Sequence, residues 1–342
     1  MIDAREPTRV TRVAHFAPPF TGGIASAVDG LLTLTAAGTD GVTHLRADTA
    51  TAAELAQVTL VHCHHALRWP DALALARRSR VPAVKTLHIL QARQSRMRAV
   101  PATSPTRSEA LQARAIAEAD ALTIATHAAK AMLVEDHPDL DPTRVVVLPL
   151  APRLPVLPRV VADAPTVRLI VAATRFDQLK GTDLLVEVVA ACLRAPDVDF
   201  VIAGGLPDNA RAELRWKEAF RAALTPEQRP RLHFPGWLGP DALAQLLSRA
   251  ALFVTTSRLE TCGLGLMEAV AALCPAVATD LSVHREVAGA HARYVAANVQ
   301  AFARAIEEAS HAQSTSRATA PYTAPDAARV AQDWLHFWSQ TR

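Results

Sequence analysis

The stretch that decides the fold is Ala251-Leu252-Phe253-Val254-Thr255-Thr256-Ser257-Arg258-Leu259-Glu260-Thr261-Cys262-Gly263-Leu264-Gly265-Leu266-Met267-Glu268-Ala269. Ala251 to Thr255 is a short apolar, β-branched run, the mark of a buried strand. A polar loop ending at Glu260 follows, and a helix begins near Gly263. Strand, loop and helix in this order make a βα unit, and such units build parallel sheets covered by helices on both faces.

The same alternation extends outward in both directions. Upstream, strands are expected at Val167 to Ala173, Val198 to Ala203 and Arg231 to Phe234, and downstream at Ala276 to Ala278. A separate series lies nearer the start: Arg9 to Phe16, Val58 to Cys63, Ala83 to His88, Ala121 to Ala125 and Arg144 to Leu148. Between the two series Pro149, Pro152, Pro155, Pro158 and Pro165 interrupt a segment with no helical period, the composition of a stiff linker. The polar stretch Ser310 to Pro325 precedes a final helix over Ala327 to Trp338, whose Trp334, Phe337 and Trp338 need a surface to bury against. The expected architecture is therefore α/β with two doubly wound, Rossmann-like halves: 1–152, a linker over 153–165, 166–322, and a terminal helix over 323–342.

Composition agrees with a globular pair of domains. The chain has 342 residues and 36.6 kDa, half of them apolar and a fifth charged, which excludes a disordered or fibrous protein. A net charge of +3 is far below the dense basic footprint of a nucleic-acid binder, and no apolar run reaches the ~20 residues that span a bilayer. Met1 to Val10 is polar, so no signal peptide is read and a cytoplasmic location is expected, with at most peripheral membrane contact. The four cysteines form no CxxC pair and are expected as reduced, partly buried thiols. Only Lys85, Lys130, Lys180 and Lys217 are lysines in a chain that otherwise uses arginine.

Ligands of open α/β sheets bind beyond the carboxyl ends of the strands, so the residues there carry the chemistry. After Val167 to Ala173 comes Arg175-Phe176-Asp177-Gln178-Leu179-Lys180-Gly181, opening a helix at Thr182. Two cations beside a helix N-terminus suit a diphosphate. In the deciding stretch, the glycines leave backbone N–H groups open to a phosphate at the helix N-terminus, and Glu268, about a turn further on, suits hydroxyls such as those of a ribose.

Together these segments resemble the retaining GT-B glycosyltransferases, glycosyltransferase family 4 in particular. Glu260 and Glu268 match its E-x7-E motif, Arg175 and Lys180 its diphosphate pair, Val201-Ile202-Ala203-Gly204-Gly205 and Phe234-Pro235-Gly236-Trp237-Leu238 its strand-end glycine segments, and Asp280 with Arg285-Glu286-Val287 the stretch after its PVVA-type strand. The match holds in order and spacing from Val167 to Glu286. The resemblance implies a UDP- or GDP-sugar donor whose pyrophosphate is held by Arg175 and Lys180, whose sugar hydroxyls lie by Glu260 and whose ribose is held by Glu268. Gly263 and Leu264 add amides to the phosphates, Gly204 lies at a strand end of the site, and Gly236 and Trp237 lie near the base. In the first half, Gly22-Gly23 resembles the family's glycine loop, His88 its sugar-contacting histidine, and His62-Cys63-His64-His65 its HxH strand end. The fold implied is GT-B, two domains facing across a cleft, with the C-terminal helix crossing back to the first. The acceptor implied is a glycan or lipid-linked sugar hydroxyl. The chain departs from the family at Cys262, where phenylalanine is usual, at Leu273, where glycine is usual, and at Leu150-Ala151, where Asn-Gly is usual.

Other signals are weaker. Gly263-Leu264-Gly265 lacks the third glycine of a dinucleotide fingerprint and comes too late for a first βα turn. Asp139-Leu140-Asp141 and Asp197-Val198-Asp199 sit where aspartate caps turns. His62, His64 and His65 lack a fourth partner at ligand spacing, so no metal and no cofactor beyond the donor substrate is expected. Arg93, Arg96 and Arg98 read as a solvated loop face, or else as a guide for an acidic acceptor or lipid phosphate. The competing functions on the same scaffold are a nucleotide-sugar 2-epimerase, a phosphorylase and a non-catalytic nucleotide-sugar binder.

Overall fold

The computed structural model describes residues 11–17, 23–36, 42–99, 105–152, 154–155, 157–158, 167–206, 209–312 and 325–341. The Met1–Val10 segment, Gly22, most of the proline-rich linker and most of the polar stretch before residue 325 lie outside them. The chain divides into two compact units, residues 1–151 with 325–342, and residues 152–324.

In the first unit, β1 (Thr11–Phe16), β2 (Val42–Arg46), β3 (Leu60–Cys63), β4 (Ala83–Thr86), β5 (Ala121–Ile124) and β6 (Val145–Val147) form one parallel sheet ordered β2-β1-β3-β4-β5-β6. Strands β3 and β4 are buried along their whole length, as a sheet covered on both faces requires. The sequence did not suggest β2, an edge strand whose alternating Val42-Thr43-His44-Leu45-Arg46 is only partly buried. The expected strand at Ala83 to His88 stops at Thr86, and Arg93 and Arg96 lie on a helix over Gln91–Met97 rather than in a loop. Arg93 is clamped to the buried Asp136 and to Glu135, and Arg96 also pairs with Asp136. The terminal helix Ala327–Gln340 belongs to this unit, and its Trp334 and Trp338 are 1% and 0% exposed. Trp334 Nε1 donates to the Pro149 carbonyl at 3.1 Å.

A row of imidazoles crosses this sheet beneath that helix. His44 on β2, His15 on β1, His62 on β3 with His64 just past it, and His88 two residues beyond β4 come from four adjacent strands. His15 Nε2 lies 3.0 Å from His44 Nδ1, His15 Nδ1 lies 3.0 Å from His64 Nε2, and His64 Nδ1 lies 3.2 Å from His88 Nε2. Trp338 stands edge-on to His15 and His44 and donates from Nε1 to His62 Nδ1 at 3.1 Å. Burial holds all five imidazoles neutral: it lowers His44 to about 4 and His88 to about 3, and takes His15, His62 and His64 well below the usual 6.5. Lys85 is buried against the same strands, donates to the carbonyls of Cys63 and Thr86, and is itself lowered to about 8 by burial.

In the second unit, β7 (Arg168–Arg175), β8 (Val198–Gly205), β9 (Leu232–Gly236), β10 (Leu252–Thr255), β11 (Ala276–Thr279) and β12 (Ala292–Val295) form a second parallel sheet, ordered β12-β11-β10-β7-β8-β9. The edge strand β12 was not expected, since Ala-Arg-Tyr-Val carries no clear run. One face of the sheet packs through Phe200, Ile202 and Val254 onto the Thr182–Cys192 helix, and the other through Val171 and Phe253 onto the Leu264–Ala271 helix. Strand order reverses between β7 and β10, the position where a crevice opens at the carboxyl ends of such a sheet. All four cysteines are free and buried. Leu273 closes the Leu264–Ala271 helix with φ of 56°, its amide bonding Val270 O and the Cys274 amide bonding Ala269 O, a Schellman end. That left-handed position accounts for the glycine usual there.

Two outcomes follow. The unfolded chain takes up protons at its histidines below about pH 6.5, whereas the folded row does not. The row's full contribution is therefore present above 6.5 and is lost as pH falls, by about 1.4 kcal/mol per histidine per pH unit while each stays neutral when folded. The urea midpoint of the first unit should drop steeply from pH 7 to pH 5, and a level midpoint would contradict a neutral row. Leu273→Gly should stabilise the second unit by about 1 kcal/mol, because it relieves a left-handed backbone at a side chain 57% exposed, as thermal melts would report.

Candidate active site

The site is assembled where β7 and β10 end side by side. Asp177 caps the turn after β7, its carboxylate accepting the Leu179 amide at 2.7 Å. The turn passes through Gly181 at φ of 63°, where a Cβ would stand 2.0 Å from the Thr256 carbonyl oxygen, so only glycine admits the neighbouring loop. That loop is then tied down. The Thr256 hydroxyl reaches the Lys180 and Gly181 carbonyls at 3.1 and 3.0 Å, and the Arg258 amide donates to Leu179 O at 2.7 Å. The Arg258 guanidinium grips both Asp183 oxygens at 2.6 and 2.8 Å.

The result is a contact between residues eighty positions apart: Lys180 Nζ lies 2.7 Å from Glu260 Oε1, which also accepts the Ser257 hydroxyl at 2.7 Å. Burial alone would raise the Glu260 carboxyl, but the Lys180 charge and the Lys180 and Ser257 hydrogen bonds prevail and hold it below the ordinary glutamate value. Lys180 is 30% exposed along its side chain, so its ammonium keeps donor directions toward solvent.

Beyond Glu260 the chain turns at Gly263, with φ of 68°, and enters the Leu264–Ala271 helix. Gly265 packs against the end of β7, a Cβ there falling 3.2 Å from Ala173 O. Glu268 is 5% exposed on this helix. Cys262 is buried between the two glutamates, and its thiol is pushed up to about 12, by burial first and then by their charges, so it is no nucleophile. His284, fully buried, lies under Gly263 and donates from Nδ1 to Thr279 O at 2.7 Å.

The other expected residues fall nearby or elsewhere. Arg175 is the last residue of β7, half-exposed, and pairs with Asp177 at 3.5 Å rather than with the glutamates. Gly204, at φ of 109° near the end of β8, has its backbone so close to β7 that a Cβ would fall 2.2 Å from Thr174 O. Gly236 ends β9, and Trp237 after it is 43% exposed. His88 and Gly23 belong to the first unit; Gly23 opens the Gly23–Ala36 helix. His62 and His64 do not lack company, as their spacing suggested: His15 joins them, with ligand-type nitrogens all within 4.8 Å. Sequence reasoning missed the supporting residues Gly181, Thr256, Ser257, Arg258 with Asp183, and His284. Their signals were present only as neighbours of the chosen charges.

Residues 166–311 match the family model described as glycosyl transferases group 1. Among solved structures, HepE from Anabaena in complex with UDP and glucose is similar over 97% of this chain and 100% of its own, at TM-score 0.71 and 14% identity. Sucrose-phosphate synthase from Thermosynechococcus elongatus matches over 97% and 94%, at 0.69 and 17%. TarM from S. aureus, in complex with Fondaparinux, alpha-GlcNAc-glycerol and UDP, matches over 82% and 55%, at 0.58 and 15%. No curated protein sequence matches the chain significantly. The two six-stranded parallel sheets have the GT-B fold of these structures, and it is the second of them, within residues 166–311, that matches the glycosyl transferases group 1 model.

Proposed function

We propose that this chain is a retaining glycosyltransferase that moves a hexosyl group from a UDP- or GDP-sugar to the hydroxyl of a glycan or lipid-linked acceptor. The observation that carries the reading is the Lys180–Glu260 contact at the reversal point of the sheet, inside the part of the chain that matches the family. HepE and TarM, solved with UDP, support a nucleotide donor.

In this reading the donor diphosphate lies over the N-termini of the Thr182–Cys192 and Leu264–Ala271 helices, where the amides of Gly263 and Leu264 face it. Lys180 bridges from Glu260 to a phosphate oxygen, and Arg175, loosely held by Asp177, swings onto the same group. Glu268 takes the ribose hydroxyls and Glu260 the hydroxyls of the sugar. Gly204 allows the close strand approach that shapes the floor, and Gly236 and Trp237 offer backbone groups and a ring face to the base. The bond from the anomeric carbon to the phosphate oxygen breaks, and one to the acceptor oxygen forms on the same face. The acceptor proton passes to the departing phosphate. Charge builds on the leaving diphosphate, and preorganised cations and helix amides lower that barrier. Among the described residues no helix is long and apolar enough to cross a membrane, which is compatible with peripheral work on a lipid-linked acceptor.

Nucleotide release from UDP- and GDP-sugars, with and without acceptor sugars, tests the reading. Lys180→Ala should lower turnover about 10²–10³-fold, the effect of losing one preorganised charged donor. Unchanged turnover would reject its role. Glu268→Gln should weaken UDP or GDP binding about tenfold by calorimetry while leaving the fold intact, since a charged hydrogen bond to a hydroxyl contributes roughly 1.5 kcal/mol.

A further inference from the structure

The imidazole row of the first unit has a direction. The Thr35 hydroxyl lies 2.8 Å from Leu31 O, an oxygen–oxygen approach that needs the hydroxyl hydrogen between them. Thr35 therefore donates there and can only accept from His44 Nε2, 3.0 Å away. A neutral His44 with hydrogen on Nε2 offers a lone pair at Nδ1, which takes the hydrogen of His15 Nε2. By the same rule His15 Nδ1 takes the hydrogen of His64 Nε2, and His64 Nδ1 takes that of His88 Nε2. Each imidazole has one hydrogen to place, and each placement forces the next.

We infer that Thr35, His44, His15 and His64 are positioning residues that lock His88 in its Nε2–H tautomer, so that its Nδ1 carries the lone pair and not the hydrogen. The neutral state that burial imposes on these rings keeps the chain of donors one-way, because a protonated ring would donate from both nitrogens. His62 forms a separate branch with the same logic: the Trp338 indole can only donate, so His62 Nδ1 accepts, and Nε2 donates to Thr86 Oγ1 at 2.6 Å, which donates on to Thr123. This bonding weighs against a metal held by His15, His62 and His64. Their nitrogens are near enough to one another, but each already has a partner, and the charges that act on the rings are the cations of Lys85 and Arg46 rather than carboxylates. The tautomer follows from the row alone and does not rest on the proposed function.

Long-range nitrogen–proton correlation on the isotope-labelled full chain at neutral pH reads the tautomer of each histidine directly. His88 is expected to show a pyridine-like Nδ1 and a pyrrole-like Nε2. Thr35→Val, at the far end of the row, removes the terminal acceptor and should shift both His88 nitrogens toward intermediate values, whereas Thr35→Ser should restore them. Hydrogen found on His88 Nδ1, or a Thr35→Val protein with His88 unchanged, would overturn the relay. So would loss of the His15, His62 and His64 N–H signals on adding one equivalent of Zn²⁺, since that would reveal a metal site. If no variant nor the parent turns over any nucleotide sugar while the nitrogen shifts still respond as expected, the glycosyltransferase reading falls and the relay stands.

Discussion

The second unit is organised by the docking of one loop on another. Two strands that are neighbours in the sheet but eighty residues apart in sequence end at the same edge, and their loops would splay if left to solvent. The absent side chain at Gly181, the Thr256 hydroxyl and the Arg258–Asp183 fork fasten them together. The Lys180–Glu260 pair follows from that fastening rather than causing it. With its carboxylate this buried, the pair adds little net stability because desolvation offsets the attraction, and its geometry matters more for what it leaves pointing outward. A carboxylate already neutralised and an ammonium with unused hydrogens make a site that can accept more negative charge without rearranging.

The first unit is governed by the opposite problem, polar groups that never meet water. Five histidines and a lysine inside a sheet would be very costly unless every nitrogen found a partner. Four strands, the Gly23–Ala36 helix that carries Thr35 and the terminal helix that carries Trp338 each supply part of the answer. The terminal helix therefore does more than cover an apolar surface. Its indole selects the tautomer of His62, and its ring edge closes the row against solvent.

Most of this was legible in the sequence where burial is uniform. Eight of the ten strands read from it lie inside a sheet, covered on both faces, and the edges β6 and β9 were read from short β-branched or aromatic runs. The two overlooked strands, β2 and β12, are edges with mixed exposure, where the pattern fades. The charged residues at strand ends were legible because charge after an apolar run is conspicuous. The residues that position them were not, because a threonine bonding a carbonyl or a glycine admitting a neighbour has no signature until the partner is known. His44 was lost with its strand, and the meaning of His62 and His64 was lost with it. Arg93 and Arg96 looked solvated because Asp136, which buries against them, lies forty residues on.

The four thiols have a practical corollary. Each is enclosed, and those of Cys192 and Cys262 ionise only near 12, so none offers a thiolate to a maleimide or iodoacetamide under ordinary conditions. The natural chain is thus already a silent background for fluorophores and spin labels. A single cysteine introduced on either unit would be the one reactive position, and distances between such probes could be followed without first stripping the protein of its own sulfur.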